Sequence, residues 1–320
     1  MKSVSVVIPV YRSAPSLEEL TQRISKVLAE TPYEIIFVND GSPDESWSVI
    51  ERLARQSGSV RGFSMLRNFG QHNALLAGIR AARYDTIVTM DDDLQHPPES
   101  IPRLLAELGQ FDVVYGYPER ERHSLFRALA SRATKMALQE ALGAGTARQV
   151  SAFRVFPTRL REAFRDYHSP NICIDVCLTW GTSRFTAISV PHHPRKFGES
   201  NYTLGQLIRH AANMMTGFTV LPLQIASWVG FIFTAFGFCI LAYVLTRWCL
   251  YGSIVPGFAF TACEIAIFSG IQLFSLGIMG EYLARMHMRS LDKPTYVIAE
   301  ETPQSRETTI YTGTIHEARR

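Results

Sequence analysis

The chain changes rhythm twice. Residues 3–10, Ser-Val-Ser-Val-Val-Ile-Pro-Val, form a continuous run rich in β-branched side chains, the pattern of a strand covered on both faces. Leu17, Leu20, Ile24, Val27 and Leu28 then recur at three- and four-residue spacing, which predicts a helix. Tyr33–Val38 repeats the strand pattern and stops at Asn39-Asp40-Gly41-Ser42, a strong turn. Helices are expected at about 45–55 and 73–82, with strands at 61–66 and 86–90. Such alternation with short connections predicts an α/β, Rossmann-like and mostly parallel sheet with helices on both faces. Ligands bind such sheets beyond the carboxyl ends of the strands, where Asp40 and Asp91–Asp93 fall.

Past Val113-Val114-Tyr115-Gly116 the second rhythm begins. Leu125, Leu129, Ala133, Met136 and Leu142 share a helical face interrupted by Arg127, Arg132 and Lys135. A basic amphipathic helix at about 124–142 suits a membrane interface, and it equally suits a surface helix packed on the sheet. A juxtamembrane amphipathic segment at 204–216 follows the domain expected over 1–203. From Ala211 to Thr246 there is no charged residue, and Val255–Met279 is interrupted only by Glu264. Each stretch exceeds the roughly 20 residues that cross a bilayer. Two spans are expected within 217–284, at about 219–247 and 255–281, followed by a C-terminal strand at Lys293–Ile298 and a polar, disordered tail after Glu300.

Charge sets the orientation. Arg209 and His210 precede the first stretch, Arg285, Arg289 and Lys293 follow the second, and the intervening loop carries only Arg247. The positive-inside rule then places both termini and the N-terminal domain in the cytosol, with the chain a multi-pass membrane protein. The start of the chain has no signal-like apolar run. A net charge of +3 gives no reason to expect nucleic acid as a partner. The five cysteines form no metal or disulfide pattern.

Asp91-Asp92-Asp93-Leu94-Gln95 carries the clearest chemistry. Adjacent carboxylates repel unless something cationic compensates, and a divalent ion bridging a diphosphate would do so through hard oxygen ligands. Asp40 can accept hydrogen bonds from a base or ribose, or it can simply cap a turn.

These segments also arrive in a familiar order. Val6–Tyr11, Val38–Ser42, Arg67-Asn68-Phe69-Gly70 with Ala74 and Gly78, and Asp91–Gln95 resemble the successive signatures of family 2 glycosyltransferases. Gly70–Ala74, Phe197–Tyr202 and the paired spans ending in Gly280-Glu281-Tyr282 are similar to the polyprenyl-phosphate branch of that family, and the resemblance covers roughly residues 3–298. It implies a GT-A type catalytic domain and metal-dependent, inverting transfer of a sugar from a nucleotide-sugar, a UDP-sugar first, to a polyprenyl phosphate. It also implies a homo-oligomer among membrane lipids. By the same resemblance Pro9, Tyr11, Asp40, Asp91 and Asp92 bind the nucleotide, and Asp93 and Gln95 hold Mg2+ or Mn2+. Arg122, Arg127, Arg195 and Ser200, with Asp93, act on donor or acceptor phosphate.

Two departures stand out. Asn201 replaces a common Lys, for which Lys196 could compensate, and Ala152 stands where relatives carry an acid before Phe153-Arg154. The second removes the obvious general base and leaves Asp175 and Asp92 as alternatives. Three other readings compete with the family's: a processive polysaccharide synthase, transfer to another lipid hydroxyl, and a non-catalytic membrane scaffold. Arg247-Trp248 imitates a synthase signature, but Val244 stands where that signature has Gln.

Overall fold

A computed structural model describes residues 3–118, 149–168, 172–194, 221–252, 257–291 and 293–305. The expected helix at 124–142, the segment 204–216, Arg122, Arg127, Arg195, Ser200 and the tail beyond 305 lie outside the described residues. The chain divides into two compact units, 1–208 with 292–320, and 209–291.

The first unit is built on an eight-stranded sheet. Its strands are β1 Val4–Val10, β2 Tyr33–Asn39, β3 Val60–Met65, β4 Thr86–Thr89, β5 Val113–Pro118, β6 Arg154–Pro157, β7 Phe185–Val190 and β8 Ile298–Glu301, in the order β7-β5-β6-β4-β1-β2-β3-β8. β3, β2, β1 and β4 run parallel, as do β5 and β7, whereas β6 and β8 run antiparallel to their neighbours. The parallel core matches the expectation from alternation. β6, which separates the two parallel groups, is too short and isolated to be read from a pattern.

Every residue of β1 is buried because helices cover both faces of the sheet. On one face lie α1 Leu17–Val27, α2 Ser46–Gln56 and α4 Ile101–Glu107, whose Leu20, Ile24, Ile50 and Leu104 pack with Val6, Ile8 and Phe37. On the other lie α3 Gln71–Ala81 and α5 Ile174–Thr179, whose Leu75, Leu76, Ile79 and Cys177 pack with Val7, Ile36 and Val38. Each such aliphatic side chain contributes about 1.5–3 kcal/mol on burial, so Ile24→Ala should cost on the order of 2–5 kcal/mol.

Pro9 sits inside β1 without a ladder penalty. It is paired with Val38 of β2, but the pairing with β4 ends at Val7–Thr89, so the missing N–H falls where the ladder has stopped.

The C-terminal segment corrects two expectations. Its strand begins at Ile298, five residues after Lys293, and the chain stays packed through Ser305. The reason lies in the edge of β3, whose backbone would otherwise be unpaired. Leu66 N–H donates to the Val297 carbonyl at 3.0 Å, and Gly62 N–H donates to Thr302 Oγ1 at 3.0 Å. Ser305 Oγ donates to the Gly62 carbonyl at 3.2 Å, and Trp47 Nε1 donates to Glu300 Oε2 at 2.8 Å.

The second unit contains α6 Leu221–Tyr251 and α7 Phe258–Ser290. By length and composition both are apolar enough to cross a membrane, over Leu223–Leu250 and Ile267–Ser290. Glu264 lies in the second turn of α7, before that apolar stretch.

Candidate functional site

β1 to β4 run parallel, so the loops that follow them emerge at one rim of the sheet, and polar contacts stitch those loops together. Asp40 N–H donates to the Val10 carbonyl at 2.9 Å, joining the ends of β1 and β2. Arg12, with φ +58°, donates its N–H to Ser42 Oγ at 3.1 Å. Asp40 then reaches the loop after β3: Phe69 N–H donates to Oδ1 at 2.6 Å and Gly70 N–H to Oδ2 at 2.9 Å. Gly41 makes this closeness possible. Its φ is +62°, and a Cβ there would lie 2.5 Å from the Arg67 carbonyl carbon.

The loop after β4 closes the ring. Tyr11 N–H donates to Asp92 Oδ2 at 3.2 Å, and Gln71 Nε2, in the first turn of α3, donates to Asp91 Oδ1 at 2.7 Å. Gln95 N–H donates to Asp93 Oδ1 at 3.1 Å, and His193 N–H donates to the Gln95 carbonyl at 2.9 Å. Between them the buried Leu94 takes φ +61°, a left-handed conformation that a branched residue adopts only when its surroundings impose it.

Electrostatics follow from this crowding. Burial pushes the Asp92 carboxyl up to about 6; hydrogen bonds from Ser13 and Tyr11 oppose the rise, while neighbouring Asp93 adds to it. Burial also raises Asp40, opposed by the Phe69 and Gly70 N–H groups and by Arg67. Arg67 stacks 4.1 Å from the Phe69 ring centroid, and Arg12 lies 5.4 Å from that of Tyr11.

His96 follows Gln95. Its ring centroid lies 5.5 Å from that of Phe153 and 5.3 Å, edge-on, from that of His192. Burial, then His192, lowers its pKa to about 4, against the pull of Asp93.

Behind the rim a buried cluster joins β4, β5, β6 and α5. Arg154 Nη1 donates to Asp175 Oδ1, which also accepts Tyr115 Oη at 3.0 Å, and Arg154 Nε donates to Thr89 Oγ1 at 3.0 Å. Burial works against the Arg154 charge, but Asp175, Tyr115, Cys173 and, from the rim, Asp91 together outweigh it, and the guanidinium stays above its ordinary range. Asp175 therefore neutralises Arg154 and is a poor candidate for a base. Burial raises the nearby Cys173 thiol to about 12, so it stays protonated.

The residues picked from sequence thus separate into groups. Tyr11, Asp40, Asp91, Asp92, Asp93 and Gln95 share the rim, and Pro9 is buried in β1 just beneath it. The sequence assigns no site role to Gln71, Ser13, Ser42, His96 or Arg154, although Ser42 and Arg154 stand in signature segments. Gln71 stood in a recognised Gly-Gln-His-Asn-Ala run, but nothing local to that run names its partner twenty residues on.

Oxygen-rich donors crowd the rim, which suits a hard divalent cation. Among the described residues no three His, Cys, Asp or Glu side chains converge into a metal cage. An ion here would complete its oxygen coordination from outside these side chains, as Mg2+ ordinarily does.

Residues 5–168 match the family model described as glycosyl transferase family 2. The chain is 35% identical to the undecaprenyl-phosphate 4-deoxy-4-formamido-L-arabinose transferase of Yersinia enterocolitica, across 96% of this chain and 97% of that protein. It is 36% identical to the protein of the same name from Serratia proteamaculans, across 93% of each. Among solved structures it resembles glucosyl-3-phosphoglycerate synthase from Mycobacterium tuberculosis in complex with Mn2+, UDP and phosphoglyceric acid. That likeness has a TM-score of 0.53 at 19% identity, over 67% of this chain and 76% of the other, and it establishes a GT-A type fold.

Proposed function

The chain belongs to glycosyl transferase family 2, and from that premise we propose that it transfers a sugar from a UDP-sugar to undecaprenyl phosphate. The observation that carries this reading is the single rim on which Tyr11, Asp40, Asp91–Asp93 and Gln95 meet. Similarity along the full length to transferases named for undecaprenyl phosphate supports the acceptor. UDP and Mn2+ in the complex of the structural neighbour support the donor and the ion. The sugar in the relatives' name, 4-deoxy-4-formamido-L-arabinose, is the first donor to test.

In this reading Tyr11, Asp40 and Asp91 bind the nucleoside end, with Pro9 shaping the floor and Asp92 bracing the Tyr11 loop. Asp93 and Gln95 would hold Mg2+ or Mn2+, which would offset charge on the departing diphosphate. Arg122, Arg127, Arg195 and Ser200 meet donor or acceptor phosphate.

The missing acid at Ala152 is accounted for by the acceptor. A phosphate monoester has a second pKa near 6, so at pH 7 it is largely dianionic and brings its own nucleophilic oxygen. That oxygen attacks the anomeric carbon as the bond to the diphosphate oxygen breaks, inverting the centre, and no side chain need remove a proton. Positioning and desolvation are what remain for the protein to supply. α6 and α7 anchor the chain in the bacterial inner membrane with the rim and both termini on the cytosolic side, where the phosphate of a membrane-embedded acceptor is reached. Copies of the chain assemble as a homo-oligomer.

The test is UDP release by purified protein from a panel of UDP-sugars, with GDP-sugars as controls, in the presence and absence of undecaprenyl phosphate. Release that depends on both substrates supports the reading. Release that ignores undecaprenyl phosphate sinks it.

A further inference from the structure

The transfer proposed above leaves His96 without a task, and its surroundings are unusual. Left-handed Leu94 turns the chain after Asp93, and the His193 N–H fixes the Gln95 carbonyl, so the next residue is held in place. The His96 ring is seated between Phe153 and His192. Both ring nitrogens are buried, and among the described residues neither has a hydrogen-bond partner. A neutral imidazole carries one N–H donor and one lone pair. Burying both unpaired weakens a fold, and each such group in a native protein calls for an explanation. A phenyl ring would fill the same space without that cost. Polar groups kept at the expense of stability beside a reactive rim mark function.

We propose that His96 is a substrate contact of this same site, exchanging hydrogen bonds with a hydroxyl or amide of the transferred sugar and so helping to select the donor. The inference rests on the donor reading given above. In that reading Asp93 and Gln95 hold the diphosphate while Asp40 and Tyr11 hold the nucleoside end. The sugar is joined to the terminal phosphate, and His96 directly follows Gln95, at the diphosphate end of the site and not at the nucleoside end. The chemistry of the ring agrees. A sugar hydroxyl or amide both donates and accepts, matching an N–H and a lone pair, whereas a phosphate oxygen only accepts and would satisfy one nitrogen of the two.

The experiment uses the full chain in detergent with Mn2+, undecaprenyl phosphate and the UDP-sugar that the wild-type protein turns over. His96→Phe keeps the ring and loses both nitrogens; His96→Gln keeps a donor and an acceptor. Three quantities are read: kcat/KM for the UDP-sugar, affinity for UDP alone, and the thermal midpoint. The expected result for His96→Phe is an equal or higher midpoint, unchanged UDP affinity and at least a tenfold fall in kcat/KM, with His96→Gln retaining more activity. Wild-type kcat/KM in His96→Phe overturns the proposal. So does a loss of UDP affinity as large as the loss of kcat/KM, which would make His96 a diphosphate contact, and so does unfolding of both variants. Failure of the donor reading itself is seen separately, as a wild-type protein that turns over no UDP-sugar.

Discussion

Gln71 Nε2 donates to Asp91 Oδ1 at 2.7 Å, so the first turn of α3 holds the first carboxylate of the acidic loop. The amide steadies a negative group that like-charged neighbours would otherwise push aside. Gln71→Glu places a fourth carboxylate there and should lower kcat/KM for the donor more than Gln71→Ala does, the latter by roughly the tenfold worth of one hydrogen bond. Steady-state kinetics across a Mn2+ titration checks the order. Equal kinetics in both variants would show that Asp91 needs no holding.

Asp40 makes a second prediction, because both of its carboxylate oxygens are engaged by the Phe69 and Gly70 N–H groups. Asp40→Ala strands both donors and should cost on the order of 1–3 kcal/mol. It should also weaken UDP binding, since the loop it clasps leads into Gln71. Denaturant unfolding and UDP titration measure the two effects. A destabilised variant with full UDP affinity would make Asp40 a brace only.

Asp175 separates a structural role from a catalytic one. It is paired with buried Arg154 and accepts from Tyr115. Asp175→Asn leaves that guanidinium short of its counter-charge and should destabilise by about 3–5 kcal/mol. Activity per folded molecule should stay within a few-fold of wild type. Normal stability with activity abolished would instead identify Asp175 as the base.

An acceptor that supplies its own oxyanion sets the pH dependence. Activity should fall as the pH drops through the acceptor's second pKa near 6, because the protonated monoanion is the weaker nucleophile. Gln149→Ala and Ser151→Ala, just before the position where relatives carry an acid, should change the rate far less than Asp93→Asn. A rate profile from pH 5 to 8 on wild type and these variants is the measurement. A profile unchanged across that range would argue for a different nucleophile.

The fold was legible in sequence wherever one local pattern decided the outcome. β1, β2 and α1 follow from β-branched runs and three-four spacing, and their ends at Val10 and Asn39 put Tyr11 and Asp40 on the rim. The acid cluster declared itself by crowding three carboxylates into one turn. β6 and β8 were harder because each has four residues and depends on distant partners: β6 is defined by β4 and β5, and β8 by the open edge of β3. The partners of Asp91, Asp92 and Asp40 were hidden for the same reason. Gln71, Tyr11 and Gly70 lie 20, 81 and 30 residues away, and only the parallel order of the strands brings them together. His96 is silent in the sequence because a histidine before two prolines carries no signal until its neighbours are known.

The central claim is transfer to a polyprenyl phosphate at the Asp93 rim, and one comparison tests it most directly. Purified wild-type and Asp93→Asn proteins are each given Mn2+, the UDP-sugar and either undecaprenyl phosphate or undecaprenol, and the lipid-linked sugar is quantified. The account predicts product only from wild type with undecaprenyl phosphate. It predicts none from Asp93→Asn despite normal folding, and none from wild type in excess EDTA. Comparable product from undecaprenol, or from Asp93→Asn, would contradict it.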